Sequence, residues 1–165
     1  NQGVMYGVAE CRRSFMCARL LKDRDFDKFG QMMKISHDGD RVFDTDNNCD
    51  YDWQVSREKL NSLITDLMSE DFYKVYSAQI QNQPGGYACS TKEIDFIVDT
   101  VNQIDGVIGS QLSGAGLGGC VMILVRDTAI DEVIETLNEK YYRPNGLDNG
   151  TTVCIPVKGS GLIKF

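Results

Sequence analysis

Several things are scarce in this chain, and each scarcity excludes something. Its 165 residues hold only 3 prolines, so a proline-rich linker or extended spacer is absent. The cysteines, Cys11, Cys17, Cys49, Cys89, Cys120 and Cys154, include no Cys-x-x-Cys pair, which argues against a zinc ribbon or a thioredoxin-type redox site. No apolar run approaches the roughly 18 residues of a membrane-spanning helix, and no basic, apolar leader stands at the start. Basic residues are the minority, 17 against 24 acidic, for a net charge of -7. That balance speaks against a broad nucleic-acid or anionic-membrane footprint, which needs clustered Lys and Arg. It leaves room for a small phosphate ligand held by backbone N–H groups.

What is present describes one folded domain. Hydrophobic residues make up 42% of the chain, too many for disorder, and the length is ordinary for a single core. Cys11, Cys120 and Cys154 lie in apolar patterns, where a reduced thiol behaves as a small hydrophobe. A reduced, cytoplasmic protein is the expectation, and the Asn149-Gly150-Thr151 sequon is then incidental.

The first half reads as helical. Val4, Val8, Cys11, Phe15 and Ala18 recur at spacings of four and three, an apolar stripe expected to face the core. Arg12, Arg13, Arg19 and Lys22 fall mostly off it. A shorter helix carrying Phe26, Phe29 and Met33 follows, expected to end near His37 and to pack antiparallel to the first. Asp38, Asp40, Asp44, Asp46, Asp50 and Asp52 then crowd a stretch read as a solvated loop. Asp44, Asp46 and Asn48 imitate the start of a calcium loop. Cys49 replaces its turn glycine and Val55 its bidentate glutamate, so no metal site is assigned. A third helix presents Leu60, Leu63, Ile64, Leu67 and Met68, and residues 79–86 read as loop. Ser90 and Glu93 form a capping-box pattern for a helix with face Ile94, Ile97, Val98, Val101 and Ile104.

The second half alternates. Residues 106–113 and Cys120–Val125 read as strands. Thr128 and Asp131 mark a capped helix with Ile130, Val133, Ile134, Leu137 and Tyr141 inward. Residues 152–157 and 162–165 read as further strands, Pro156 favouring an edge. Helices first, then strands mixed with helices, indicate an α+β fold with a small, mostly antiparallel sheet and helices packed on one face.

Chemistry concentrates in one place. Ser113, Gly114, Ala115, Gly116, Leu117, Gly118 and Gly119 link the two predicted strands. The glycine spacing imitates a dinucleotide fingerprint, but that motif needs strand, loop, then helix, and here a strand follows. It is not a Walker loop either, for no Lys-Ser/Thr ends it. Four glycines in six positions exceed what a hairpin requires, and side-chain-free backbone can approach an anion closely. These seven residues are therefore the candidate ligand-contacting loop. His37, the single histidine, is read as a structural hydrogen-bonder.

The string Gly109-Ser110-Gln111-Leu112-Ser113-Gly114-Ala115-Gly116-Leu117-Gly118-Gly119-Cys120 closely resembles the third signature of galactokinase-type members of the GHMP sugar-kinase superfamily. Phe29-Gly30-Gln31-Met32-Met33-Lys34-Ile35-Ser36-His37 is similar to that family's Phe-Gly-x-Leu-Met-x-x-Ser-His, and Cys89-Ser90-Thr91-Lys92-Glu93-Ile94-Asp95 to its Val-Ser-x-x-Glu-Leu-Asp. Val153-Cys154 and Gly159-Ser160-Gly161 sit where the family ends its chain. The stretch 44–86 fits poorly and resembles an insertion. The family's N-terminal lobe holds its sugar-binding segment, phosphate-binding helix start, catalytic Asp and Mg²⁺ ligands, and none of those motifs stands here.

The resemblance therefore implies that residues 1–165 are one domain, the ferredoxin-like C-terminal lobe, with no catalytic or metal residue of its own. The whole enzyme would transfer the γ-phosphoryl of ATP, with Mg²⁺, to the anomeric hydroxyl of a galactose-type sugar. The partners implied are sugar, ATP and the protein's own N-terminal lobe, with no nucleic acid and no membrane. Three alternatives stay open. One is a GHMP kinase for another sugar (a uronic acid, arabinose or a heptose), another a non-catalytic sugar-sensing or interaction module, and the last a free-standing small-molecule binder.

Overall fold

A computed structural model describes residues 2–52 and 55–155. Six α-helices, α1 (Gln2–Lys22), α2 (Phe26–Asp40), α3 (Arg57–Leu67), α4 (Phe72–Ala78), α5 (Lys92–Asn102) and α6 (Ile130–Leu137), accompany two small antiparallel hairpins. The first hairpin joins β1 (Phe43–Asp44) to β2 (Cys49–Asp50); the second joins β3 (Val107–Ser113) to β4 (Cys120–Val125). The architecture is α+β. In the second hairpin Val107 pairs with Val125 and Ser113 with Cys120, with a bulge between Val107 and Gly109. The strand expected over 152–157 is not formed at Thr152–Ile155. Its remainder, the expected strand 162–165 and Trp53 lie outside the described residues.

The apolar face of α5 makes the core, as its spacing requires. Val101 and Ile104 pack with Val133 and Leu137 of α6, and Ile97, Val107, Ile123 and Val125 close around them. One turn earlier Ile94 and Val98 meet Leu112, with Val121 and Cys89 beside them. On the far side α2 lies along β3, so close that a Cβ on Gly30 would stand 2.7 Å from the Ile108 side chain. The edge of β3 is thereby covered, which protects its unpaired backbone groups.

Four local expectations are corrected. The stripe on α1 faces outward, with Val4 72% and Phe15 80% exposed and Val8 and Cys11 open as well. The buried face is Ala9, Arg13 and Leu20. Arg13 decides this. Its Nη1 donates to the carbonyls of Gln81 (3.0 Å) and Gln83 (2.9 Å), and Nε and Nη2 donate to Glu10. A fully paired guanidinium can be buried. Second, the acidic stretch is not wholly solvated. Asp40 is buried and Arg41 forks onto Asp99 at 2.8 and 2.7 Å, whereas Asp50 stays exposed beside Lys92. Third, Thr91 rather than Ser90 caps α5, accepting from Ile94 N, because Ser90 is turned inward. Fourth, α6 starts from a 3-10 turn, Asp127–Ala129, without a side-chain cap; Asp127 accepts from Thr128 N instead.

Further elements lay beyond the sequence reading, among them the β1–β2 hairpin inside the acidic stretch. Helix α4 is capped by Asp71, which accepts from the N–H groups of Tyr73 and Lys74. Residues 79–86, expected as loop, include the 3-10 turn Ile80–Asn82 and bury Gln81 and Gln83.

Candidate functional site: the glycine loop

The seven loop residues sit together at the turn end of the β3–β4 hairpin. Gly114 (φ +96°), Gly116 (+86°), Gly118 (+111°) and Gly119 (+111°) all adopt left-handed backbone, the reason for glycine there. Gly114, Ala115 and Gly119 are exposed, and Leu117 is 87% exposed. A Cβ on Gly114 or Gly118 would meet nothing within 4 Å, so the main chain at both is open to a ligand. Gly116 is different. A Cβ there would lie 2.7 Å from both Cβ and Sγ of Cys89, and the next residue's amide, Leu117 N, donates to the Cys89 carbonyl at 2.6 Å. The loop is docked at its centre and free on either side.

Below the docking point lies a polar layer. The Cys89 thiol donates to Asp40 Oδ1 at 3.2 Å, and the Tyr6 hydroxyl reaches the same carboxylate. Burial and the nearby Asp40 charge push the Cys89 thiol up to about 12, and burial with the same charge raises the Tyr6 phenol. Both stay protonated as donors. Burial also raises the Asp40 carboxyl, against the pull of those two donors. The Tyr6 ring stacks on Tyr87 with centroids 5.2 Å apart.

His37 and Asp95 form a second, fully buried layer. His37 Nδ1 accepts from Leu112 N at 3.3 Å, so the ring proton sits on Nε2, which lies 3.2 Å from Asp95 Oδ1 in a contact too bent for a full hydrogen bond. Asp95 Oδ2 accepts from the N–H groups of Val42 and Phe43 at 2.9 and 2.8 Å. Burial pushes the Asp95 carboxyl up, but His37, Ser90 and those two amides together hold it below the usual carboxylate range. His37 thus ties α2 to the outer edge of β3 and, through Asp95, to α5. Its role is structural, as expected.

Asp95 belongs to the family-like segment that ends in it, so its presence was visible in the sequence, although its partners were not. Arg13, Asp40 and the side chain of Cys89 carried no such signal.

A phosphate ester fits the loop's chemistry, because exposed left-handed glycines bring backbone amides to the surface without intervening side chains. Mg²⁺ finds no such fit among the described residues, where no group of three His, Cys, Asp or Glu is placed to hold a metal. Asp44 instead accepts from Asn47 at both its N and Nδ2.

Sequence comparison relates this α+β fold, with its glycine-bearing hairpin, to known proteins. Residues 66–143 match the family model for the GHMP kinase C-terminal domain. A galactokinase of Bacillus subtilis (strain 168) is 26% identical over 142 residues, covering 86% of this chain and 25% of the relative. Galactokinases of Clostridium acetobutylicum (37% over 62 residues, 38% of this chain and 16% of the relative) and Roseiflexus sp. (strain RS-1; 34% over 77 residues, 47% and 20%) also match. Residues 66–143 thus match a GHMP kinase C-terminal domain, and the relatives that align with the chain are galactokinases. The matched stretches span a quarter or less of the length of these relatives. Among the described residues no helix is long and apolar enough to cross a membrane.

Proposed function

We propose that this chain is the C-terminal lobe of an ATP-dependent sugar 1-kinase, acting in the cytoplasm on a galactose-type sugar, with the catalytic Asp and the Mg²⁺ ligands on a separate N-terminal lobe. The single domain 1–165, with 44–86 as an insertion, belongs to the same reading. The observation that carries it is the loop Ser113 to Gly119, exposed at a hairpin end, with unobstructed main chain at Gly114 and Gly118. Phosphoryl transfer passes through a loose transition state and depends on positioning and charge stabilisation. Amides of Ser113 to Gly116 would face the phosphates or the sugar, and the open glycines would let the second lobe close over them.

The test is turnover by the whole polypeptide, ATP with a panel of hexoses, pentoses, heptoses and uronic acids, for wild type and Gly114→Ala. The new methyl meets nothing within 4 Å, but φ +96° strains any L residue at this position, so the Tm of Gly114→Ala is measured beside its turnover to separate a distorted loop from an obstructed ligand. A loss of about tenfold or more in kcat/KM, near 1.4 kcal/mol of transition-state stabilisation, is expected. Wild-type turnover of Gly114→Ala would remove the loop's role. The absence of phosphorylation of every sugar would favour a sensing or interaction module. Gly116→Val is the poorer probe, since its side chain meets Cys89 and unseats the loop.

A further inference from the structure

We propose that Cys89 and Asp40 are positioning residues for the glycine loop: the thiol-to-carboxylate contact between them holds the Cys89 carbonyl where it seats the Leu117 amide, and so fixes the shape in which the loop meets its ligand. The inference rests on the loop's role proposed above and adds the device that sets its conformation.

Four observations converge on this point. The Leu117 N–H to Cys89 O bond, at 2.6 Å, is the tie the structure shows at the loop's centre, and Gly116 packs on the Cys89 side chain. Left-handed backbone is costly for residues other than glycine. Among the described residues other than glycine, only Arg24, Asn48, Ala88 and Leu117 adopt it. Two of those four adjoin this one bond, Ala88 immediately before its acceptor and Leu117 as its donor. Such strain persists only where surrounding contacts impose it, and it gathers at functional segments.

The contacts that impose it are visible. Gly39 O accepts from Tyr87 N at 2.7 Å and from Ala88 N at 3.2 Å, and Asp40 O accepts from Ser90 N at 2.8 Å. Backbone bonds thus hold 87, 88 and 90 to the end of α2, while residue 89 is fixed through its side chain, Sγ to Asp40 Oδ1. Tyr6 on α1 steadies the same carboxylate. The family pattern quoted above has Val where Cys89 stands, so the polar tie is a departure of this chain.

The test is amide hydrogen exchange at Leu117 in this chain, for wild type, Cys89→Ala, Cys89→Ser and Asp40→Asn, together with the Tm of each. The tie predicts exchange faster by about tenfold or more in Cys89→Ala and Asp40→Asn, and near-wild-type exchange in Cys89→Ser, whose hydroxyl still donates. Protection unchanged in Cys89→Ala overturns the proposal. So does a loss in Cys89→Ser equal to that in Cys89→Ala, which would show packing at work rather than the donor. If Asp40→Asn does not fold, the Cys89 pair decides alone. Kinetics of the whole polypeptide then separate the two readings. Faster exchange with a lower kcat supports both, whereas faster exchange with unaltered turnover keeps the anchor and removes the loop from the reaction.

Discussion

Gly30 of α2 and Gly109 of β3 stand backbone to backbone: a Cβ on Gly109 would lie 2.6 Å from the Gly30 Cα, and one on Gly30 would lie 2.6 Å from the Ile108 carbonyl carbon. The nearest contacts are backbone, which cannot yield as a side chain would. Helix and strand approach this closely because neither carries a side chain at the crossing, and the approach is what brings His37 within reach of Leu112 N.

Gly30→Ala and Gly109→Ala are each expected to cost about 2–3 kcal/mol, the upper part of the range for overpacking, since backbone must move. Urea unfolding followed by circular dichroism measures it. The double variant should lose less than the sum, because one shift of α2 accommodates both methyls. Additive losses would show that the two glycines do not share a contact.

Arg13 gives a second expectation. At 2% exposure its guanidinium serves Glu10 and the carbonyls of Gln81 and Gln83. Arg13→Met fills much of the volume but leaves those acceptors without their donor. A loss of about 2–4 kcal/mol is expected, within the range for breaking a buried charged network. Arg13→Lys should recover only part of it, since an ammonium cannot fork across both carbonyls. Equal Tm values for wild type and Arg13→Met would contradict the buried network.

Arg13 also marks the limit of what was legible. The period of α1 was plain in the sequence and its facing was not. Periodicity shows that apolar residues share a side, but whether that side is covered depends on partners elsewhere in the chain, here two carbonyls near residue 82. The facing of α5, though not its cap, was read correctly because its apolar face is also its buried one. The glycine loop was legible because four glycines in six positions exceed what a turn needs. Its seat on Cys89 was not, because that contact joins residues remote in sequence through a main-chain carbonyl, which leaves no compositional trace. The same holds for Asp95, whose backbone donors come from Val42 and Phe43.

Asp95 makes stability depend on acid. Its carboxyl is held below the usual range in the folded chain, so near pH 4 the unfolded chain binds a proton more readily than the folded one. The sign follows. The contribution is complete above the unfolded value, about 3.9, and fades as pH falls through the depressed folded value. Asp38 and Asp40, both raised by burial, contribute in the opposite sense. Wild type must therefore be compared with Asp95→Asn. The variant should be weaker by about 1–3 kcal/mol near neutrality. That gap should narrow as pH falls toward about 3. A gap constant with pH would mean that the Asp95 charge plays no part.

The cysteines are expected to separate by reactivity. Cys11, Cys49, Cys120 and Cys154 are exposed thiols, whereas Cys89 is half-buried with its thiol pushed up to about 12. The thiolate is the reacting species, so near pH 8 a rise of this size lowers the reactive fraction about a thousandfold relative to an ordinary thiol. Iodoacetamide labelling followed by mass spectrometry should find Cys89 last among these five. In Asp40→Asn the negative neighbour that disfavours the thiolate is gone, so Cys89 should label faster while Cys11 keeps its rate. If Cys89 labels as fast as Cys11 in the wild type, the thiol is not held against Asp40. An acceleration confined to Cys89 in Asp40→Asn would instead identify the carboxylate as what keeps this sulfur protonated beneath the glycine loop.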